Sequence, residues 1–234
     1  MCVRITQLST RREFVNELGI PIDPREWQGG DTHPQFNVAP GSGIRMFHRL
    51  YQEKVLSDPV LWGYRSPRAV GRGEAREACV LIERAALALY YRHMWVSGRV
   101  LIPINGWYEW TGENKNRLPW YVRLKNDKPM FLAAVTNFVP DVKQTVEVGC
   151  AIIADASTTG LVEPGYLRPV VFTPANAMRW LDPRLDRDEA IWIASKHSRP
   201  PDDFEWYRVG TAVNKVDLKG ELEWEATQAL IKPI

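Results

Sequence analysis

The 234-residue chain has few of the residues that usually announce a chemistry. It holds three cysteines, Cys2, Cys79 and Cys150, odd in number and without a CxxC pair. That argues against a disulfide framework and against a zinc site. Its four histidines, His33, His48, His93 and His197, lack metal-ligand spacing, so no metal or other cofactor is expected. No GxSxG elbow and no glycine-rich nucleotide fingerprint is present. The chain opens without a basic-then-apolar leader, and no apolar run reaches membrane length. A cytoplasmic protein with no membrane partner is expected. Net charge is only +2, so an anionic partner must be met by a local patch rather than a bulk field.

What is present is ordinary globular material, 45% apolar and 25% charged, enough for a sizeable core. Ten tryptophans supply core anchors, with one or two free to stack on a base. "STRREFVNELG" predicts a helix: Thr10 and Glu13 have capping-box spacing, Phe14 and Leu18 share a face, and Gly19 stops it. Residues 20–42 read as a loop, "IRMFHRLY" and "VLWGYR" as strands, and 65–77 as a basic, flexible loop. "IERAALALYYRHMW" predicts one helix. "RVLIPINGWYEW", "PWYVRL", "PMFLAAVTNF" and "VEVGCAIIAD" predict four strands. Helices follow at "TPANAMRWLD", with Thr173 as cap and Pro174 at the first position, and at "LDRDEAIWIASKH". "EWYRVGTAV" closes as a strand. Strands dominate and no linker interrupts them, so residues 1–234 are expected to form a single α+β domain.

Four local features carry chemical potential. Small second residues permit removal of Met1. Cys2 would then bear both an α-amine and a thiol, each partly nucleophilic near neutrality. Such a pair condenses with an aldehyde, first to an imine and then to a thiazolidine ring. The opposing reading is a terminal cysteine buried as a small hydrophobe. Glu109 lies among Trp107, Tyr108 and Trp110. Pointing inward it would suit general acid–base work; pointing outward it would be a solvent-facing strand residue. Asn37, in "FNVAP", reads first as a turn residue and otherwise as a hydrogen-bond partner for a substrate oxygen. Arg65, Arg68, Arg72 and Arg76, with Gly71 and Gly73 between them, read equally as a solvated loop or as a phosphate-binding one.

Taken in order, "MC-x-R", "FNVAP", "WGY", "GR-x-L-I-P-x-x-G-W-Y-E-W" and "GL-V-x-P-x-x-x-RPVV" resemble the SOS-response-associated peptidase (SRAP) family, which includes abasic-site processing proteins. The match spans about residues 2–232. The resemblance implies an α+β domain built on a curved, barrel-like, mostly antiparallel sheet with flanking helices. It implies that Cys2 attacks the ring-opened aldehyde of an abasic site in single-stranded DNA, forming a thiazolidine crosslink, and that Glu109 shuttles protons. It implies that Arg4 contacts the DNA backbone and that Asn37 and Pro40 line the site. The basic residues Arg65, Arg68 and Arg72, with the retained Arg168, complete the expected DNA-binding set. A monomer is expected, nucleoid-associated when on DNA.

The chain also departs from the family pattern. Val3 replaces a glycine. Cys79 and Leu81 stand where an Asn and an Arg are usual, Ala154 where a Thr is, and Gly165 where the catalytic His is. Residues "RSPRA" replace aromatics after "WGY". Three functions therefore stay in contention: an abasic-site crosslinker with an altered pocket, a DNA-binding relative without chemistry, and an N-terminal-cysteine peptidase limited to self-processing.

Overall fold

The computed structural model describes residues 4–20, 34–51, 53–112, 117–145, 147–164, 167–215 and 229–234. Cys2, Val3 and Gly165 lie outside these residues. The α+β expectation holds, but the strands form two separate sheets that do not close into a barrel.

The larger sheet runs β11 (Leu167–Pro169), β10 (Cys150–Thr159), β9 (Met130–Thr136), β6 (Arg99–Ile104), β3 (Gly43–His48), β4 (Leu56–Leu61). Strand β12 (Val171–Phe172) pairs with β9, and β5 (Cys79–Leu81) runs parallel to β10. The smaller sheet runs β13 (Phe204–Arg208), β8 (Leu118–Leu124), β7 (Gly106–Thr111), β1 (Ile5–Gln7), β2 (Gln35–Val38). The β9 sequence MFLAAVT is buried at every position, because both faces of the larger sheet are covered. Phe131, Ala133 and Val135 face a core shared with the helices, while Met130, Leu132 and Ala134 face a second core shared with the smaller sheet. The smaller sheet is itself covered on its outer face by Val209, Val213 and Leu230, which pack on Phe36, Tyr108, Trp110 and Tyr121.

Helix α1 (Arg11–Leu18) forms as its caps dictate: Thr10 and Glu13 make the reciprocal capping box, and Gly19 ends the helix at φ 71°. Helices α5 (Pro174–Trp180) and α6 (Arg187–Lys196) are capped by Thr173 and Asp186. The helix expected from residue 82 to 95 is instead two, α3 (Ile82–Leu87) and α4 (Arg92–Ser97), broken at an extended Ala88. A continuous helix burying Ile82, Ala85 and Ala86 would also turn Leu89 and His93 inward. The break resets the phase, so Tyr91, Met94 and Trp95 are buried and Leu89 is left 67% exposed. The basic stretch expected to be a flexible loop contains α2 (Pro67–Gly71), with Ser66 accepting a hydrogen bond from the Ala69 amide (3.2 Å) and Pro67 in the first turn. The strand expected over "VLWGYR" lies earlier, at 56–61. Part of the expected 20–42 loop is β2.

"RVLIPINGWYEW" is two strands in two sheets, divided by Asn105 alone. The Asn105 carboxamide accepts from the amides of Leu8 (2.8 Å) and Ser9 (3.1 Å) and donates to Ser9 Oγ (2.9 Å), fixing the corner. Gly106 follows because a Cβ there would lie 2.3 Å from the Tyr121 ring. This corner sends β6 into one sheet and β7 across from it, and β7 carries Glu109.

Candidate functional site

Side-chain alternation on β7 decides the question that the sequence leaves open about Glu109. Trp107 faces the core between the sheets, and Glu109, two residues on, shares that face. Tyr108 and Trp110 face the opposite way, into the outer core. Glu109 is 2% exposed. Its carboxylate accepts three N–H donors: Trp107 Nε1 at 3.1 Å, the Leu161 amide at 3.4 Å and the Val162 amide at 3.0 Å. Leu161 and Val162 lie between β10 and β11, so this connection folds over the carboxylate and seats it.

The same connection leads to Arg168 on β11, which is 6% exposed. Burial lowers the pKa of its guanidinium, against the opposing charges of Asp155 and Glu109. Asp155 is its cross-strand neighbour and accepts from the Ser157 amide (2.8 Å) and hydroxyl (2.7 Å). Glu109 and Arg168, far apart in sequence, are thus electrostatic neighbours.

The inter-sheet core that Glu109 faces is apolar. Ile152 and Cys150 belong to the inter-sheet core, and Cys79, Leu161 and Val162 pack against it. Cys79 pairs with Ile152, and Leu81 with Ala154. Burial pushes the thiols of both Cys79 and Cys150 up to about 12, so both stay protonated near neutrality. Neither supplies a thiolate nucleophile.

Arg4 and Asn37 serve the other face of the same sheet. The Arg4 carbonyl accepts from the Tyr108 amide (3.1 Å), placing the start of the described chain beside the residue that precedes Glu109. Ile5 faces the inter-sheet core and Thr6 turns outward to Tyr121 (2.8 Å), so alternation puts Arg4 on the outward face. Its pKa is lowered first by burial and then by the like charge of Arg117. The Arg117 guanidinium lies 5.4 Å over the Trp110 ring, and Trp110 Nε1 donates to Asn214 (2.6 Å). Asn37 Nδ2 donates to the carbonyls of Val213 (3.1 Å) and Lys215 (3.0 Å), while its buried Oδ1 has no partner among the described residues. Asn37 is a strand residue that ties down the chain after β13, not a turn residue. Pro40 begins a type II turn with Gly41 (φ 91°), closed by the Ser42 amide on the Ala39 carbonyl at 3.1 Å.

Arg65, Arg68 and Arg72 are elsewhere, lining a surface cavity whose described walls include none of Glu109, Arg168, Arg4 or Asn37. Trp110, Arg117 and Asn214 escaped the sequence reading. Strand alternation could have flagged Trp110 beside Arg4. Nothing in the sequence marks the Leu161 and Val162 amides, because any residue but proline supplies one. Among the described residues, no cluster of three or more His, Cys, Asp or Glu is placed to hold a metal. No helix among them is long and apolar enough to cross a membrane.

The sequence profile of the SOS response associated peptidase (SRAP) family matches residues 1–216. The chain belongs to the SRAP family. The SRAP chain is 30% identical over 226 residues to the abasic site processing protein YedK of Escherichia coli (strain K12), covering 94% of this chain and 97% of that one. It is 26% identical to the abasic site processing protein YoqW of Bacillus subtilis (strain 168), covering 92% and 94% respectively. Among solved structures, a phage-related protein from Bordetella bronchiseptica superposes with a TM-score of 0.75 at 25% identity, covering 89% of this chain and 94% of that one. A protein from Bacteroides thetaiotaomicron shares the fold at a TM-score of 0.73 and 16% identity, over the full length of both.

Proposed function

We propose that this SRAP protein processes abasic sites by binding single-stranded DNA and joining Cys2 to the lesion as a thiazolidine. The observation that carries the reading is the position of Glu109: a carboxylate 2% exposed, one residue along β7 from the amide that pairs with Arg4. In the sequence Cys2 stands two residues ahead of Arg4. With Cys79 half-buried, Cys150 buried and both thiols held protonated, Cys2 is the remaining candidate thiol. The relatives named as abasic site processing proteins support the same substrate.

The chemistry balances as the loss of one water. Removal of Met1 frees the α-amine of Cys2. The amine attacks the aldehyde carbon, and the carbinolamine loses its hydroxyl as water to leave an imine. The Cys2 sulfur then adds to the imine carbon, and the thiol proton passes to nitrogen, closing the five-membered ring. Each of these steps moves a proton. Glu109 delivers one to the departing hydroxyl and receives one from the attacking groups. Gly165 stands where the family places a histidine, so Glu109 carries both transfers. Arg168 sets the charge around that carboxylate, and Arg4 meets the DNA backbone at the edge of the sheet. Asn37 and Pro40 shape the strand end and turn behind it.

The test is the intact mass of the Met1-free protein incubated with a single-stranded oligonucleotide bearing one abasic site. The expected product is protein plus oligonucleotide minus one water, absent in Cys2→Ala. Unmodified protein throughout, with the free amine verified, would overturn the chemistry. DNA binding without an adduct would then favour the reading of a relative that binds but does not react.

A further inference from the structure

Four arginines converge at a place the crosslinking chemistry does not use. Arg65, Arg68, Arg72 and Arg84 line one cavity of about 170 Å³, together with Tyr64 and Tyr90. Two acids share its walls, and they leave Arg65 and Arg68 without an ion pair among the described residues. Glu77 is occupied: it receives the Arg84 guanidinium and the Tyr91 hydroxyl (2.6 Å), and Arg84 also lies 5.8 Å over the Tyr91 ring. Glu74 reaches only Arg72, at 3.6 Å, with both side chains more than half exposed, a contact that water largely screens.

Arg65 spends one Nη donor on a neutral group, the Glu74 carbonyl at 3.4 Å. Its Nε is buried with no acceptor among the described residues. A buried donor left unpaired is costly, a cost that an incoming oxygen would relieve. Arg68 projects from α2, whose Ser66 cap and Pro67 fix it in place, and it makes no ion pair among the described residues. Planar guanidinium forks match the oxygens of a phosphate. The lining also carries apolar surface, the ring of Tyr90 and the methyl groups of Ala69 and Ala88. Free phosphate has no use for such a surface, whereas a nucleotide carries sugar and base to lay on it.

We infer that this cavity is a second phosphodiester site, which grips the bound strand apart from the lesion-reacting Glu109 region. The inference rests on the proposed DNA reading and deepens it. The experiment measures equilibrium binding of unmodified single-stranded DNA over a range of salt for wild type and for Arg65→Gln/Arg68→Gln/Arg72→Gln. Each lost phosphate contact should lower the slope of log K against log salt by about 0.7, so the triple variant should lose about two. The exposed pair Arg68→Gln/Arg72→Gln, which breaks no buried hydrogen bond, should lose about 1.4 and guards against misfolding. An unchanged slope in the well-folded pair overturns the site. So does saturable binding of inorganic phosphate that the arginine variants lose and unmodified single-stranded DNA cannot displace, since that marks a free-anion pocket. Because the strand used carries no lesion, slope loss in the variants would keep this site even where the wild type forms no adduct with abasic DNA, a result that removes only the crosslinking chemistry.

Discussion

The Glu109 region and the arginine cavity are built on opposite plans. Glu109 stands on a central strand, buried and held by three N–H donors, two of them backbone amides. Arg65, Arg68 and Arg72 stand on a five-residue helix and its flanks and Arg84 on α3, and the Arg72 and Arg84 side chains are more than half exposed. The first plan fixes one atom to a fraction of an ångström, which proton transfer needs. The second presents a loose field of charge, which tolerates a ligand whose sequence varies. Under the proposed function, reaction belongs to the first and grip to the second.

The sharpest way to break this contrast is Cys2→Ala, which should abolish the adduct with abasic DNA by intact mass while the salt slope on unmodified strand still reports the arginines. Next, Glu109→Gln should slow adduct formation by roughly 10²–10⁴, read as a single-turnover rate. A rate within a few-fold of wild type would reduce Glu109 to a structural staple. Trp107→Phe removes the side-chain donor to the Glu109 carboxylate and should cost about 1–3 kcal/mol in urea unfolding. Ser66→Ala removes the cap of α2 and should cost about 1 kcal/mol, with weaker binding of unmodified strand if the helix positions Arg68.

A pH effect on stability should come from neither region but from His48 on β3. His48 is fully buried, its Nε2 pairs with Asp58 (2.8 Å), and its Nδ1 accepts the Leu50 amide (3.3 Å). Burial lowers its pKa, partly opposed by the Asp58 hydrogen bond and charge. With the folded pKa below the unfolded value, the unfolded chain takes up the proton first. Stability is therefore full above about pH 6.5 and declines as pH falls below it. His48→Gln should flatten that decline in thermal melts followed between neutral and mildly acidic pH.

Local signals in the sequence located the elements that carry their own caps. Thr10 with Glu13 and Thr173 with Pro174 mark helix starts that the structure reproduces. Ser66–Pro67 is the same kind of signal, masked by the glycines and arginines around it. Features decided by packing were not legible. The break at Ala88 exists because Tyr91 and Trp95 fit the core and Leu89 does not, a comparison available only once the sheet is in place. One apolar run became two strands in two sheets because Asn105 has amides of Leu8 and Ser9 to bind. At the site, residue types were legible and their faces were not. Arg4 and Glu109 are near in the fold yet serve opposite sides of one sheet.

The Leu161 and Val162 donors have a consequence for how this site can drift. Both are main-chain groups, so any side chain that fits the packing there leaves the carboxylate seated. Proline is the exception, since it alone deletes an amide. The segment can therefore be rewritten in almost every letter while its function at Glu109 persists. The Val162 amide is also a native reporter: its hydrogen should exchange with solvent only when the carboxylate is released, which makes opening of the pocket measurable without a label.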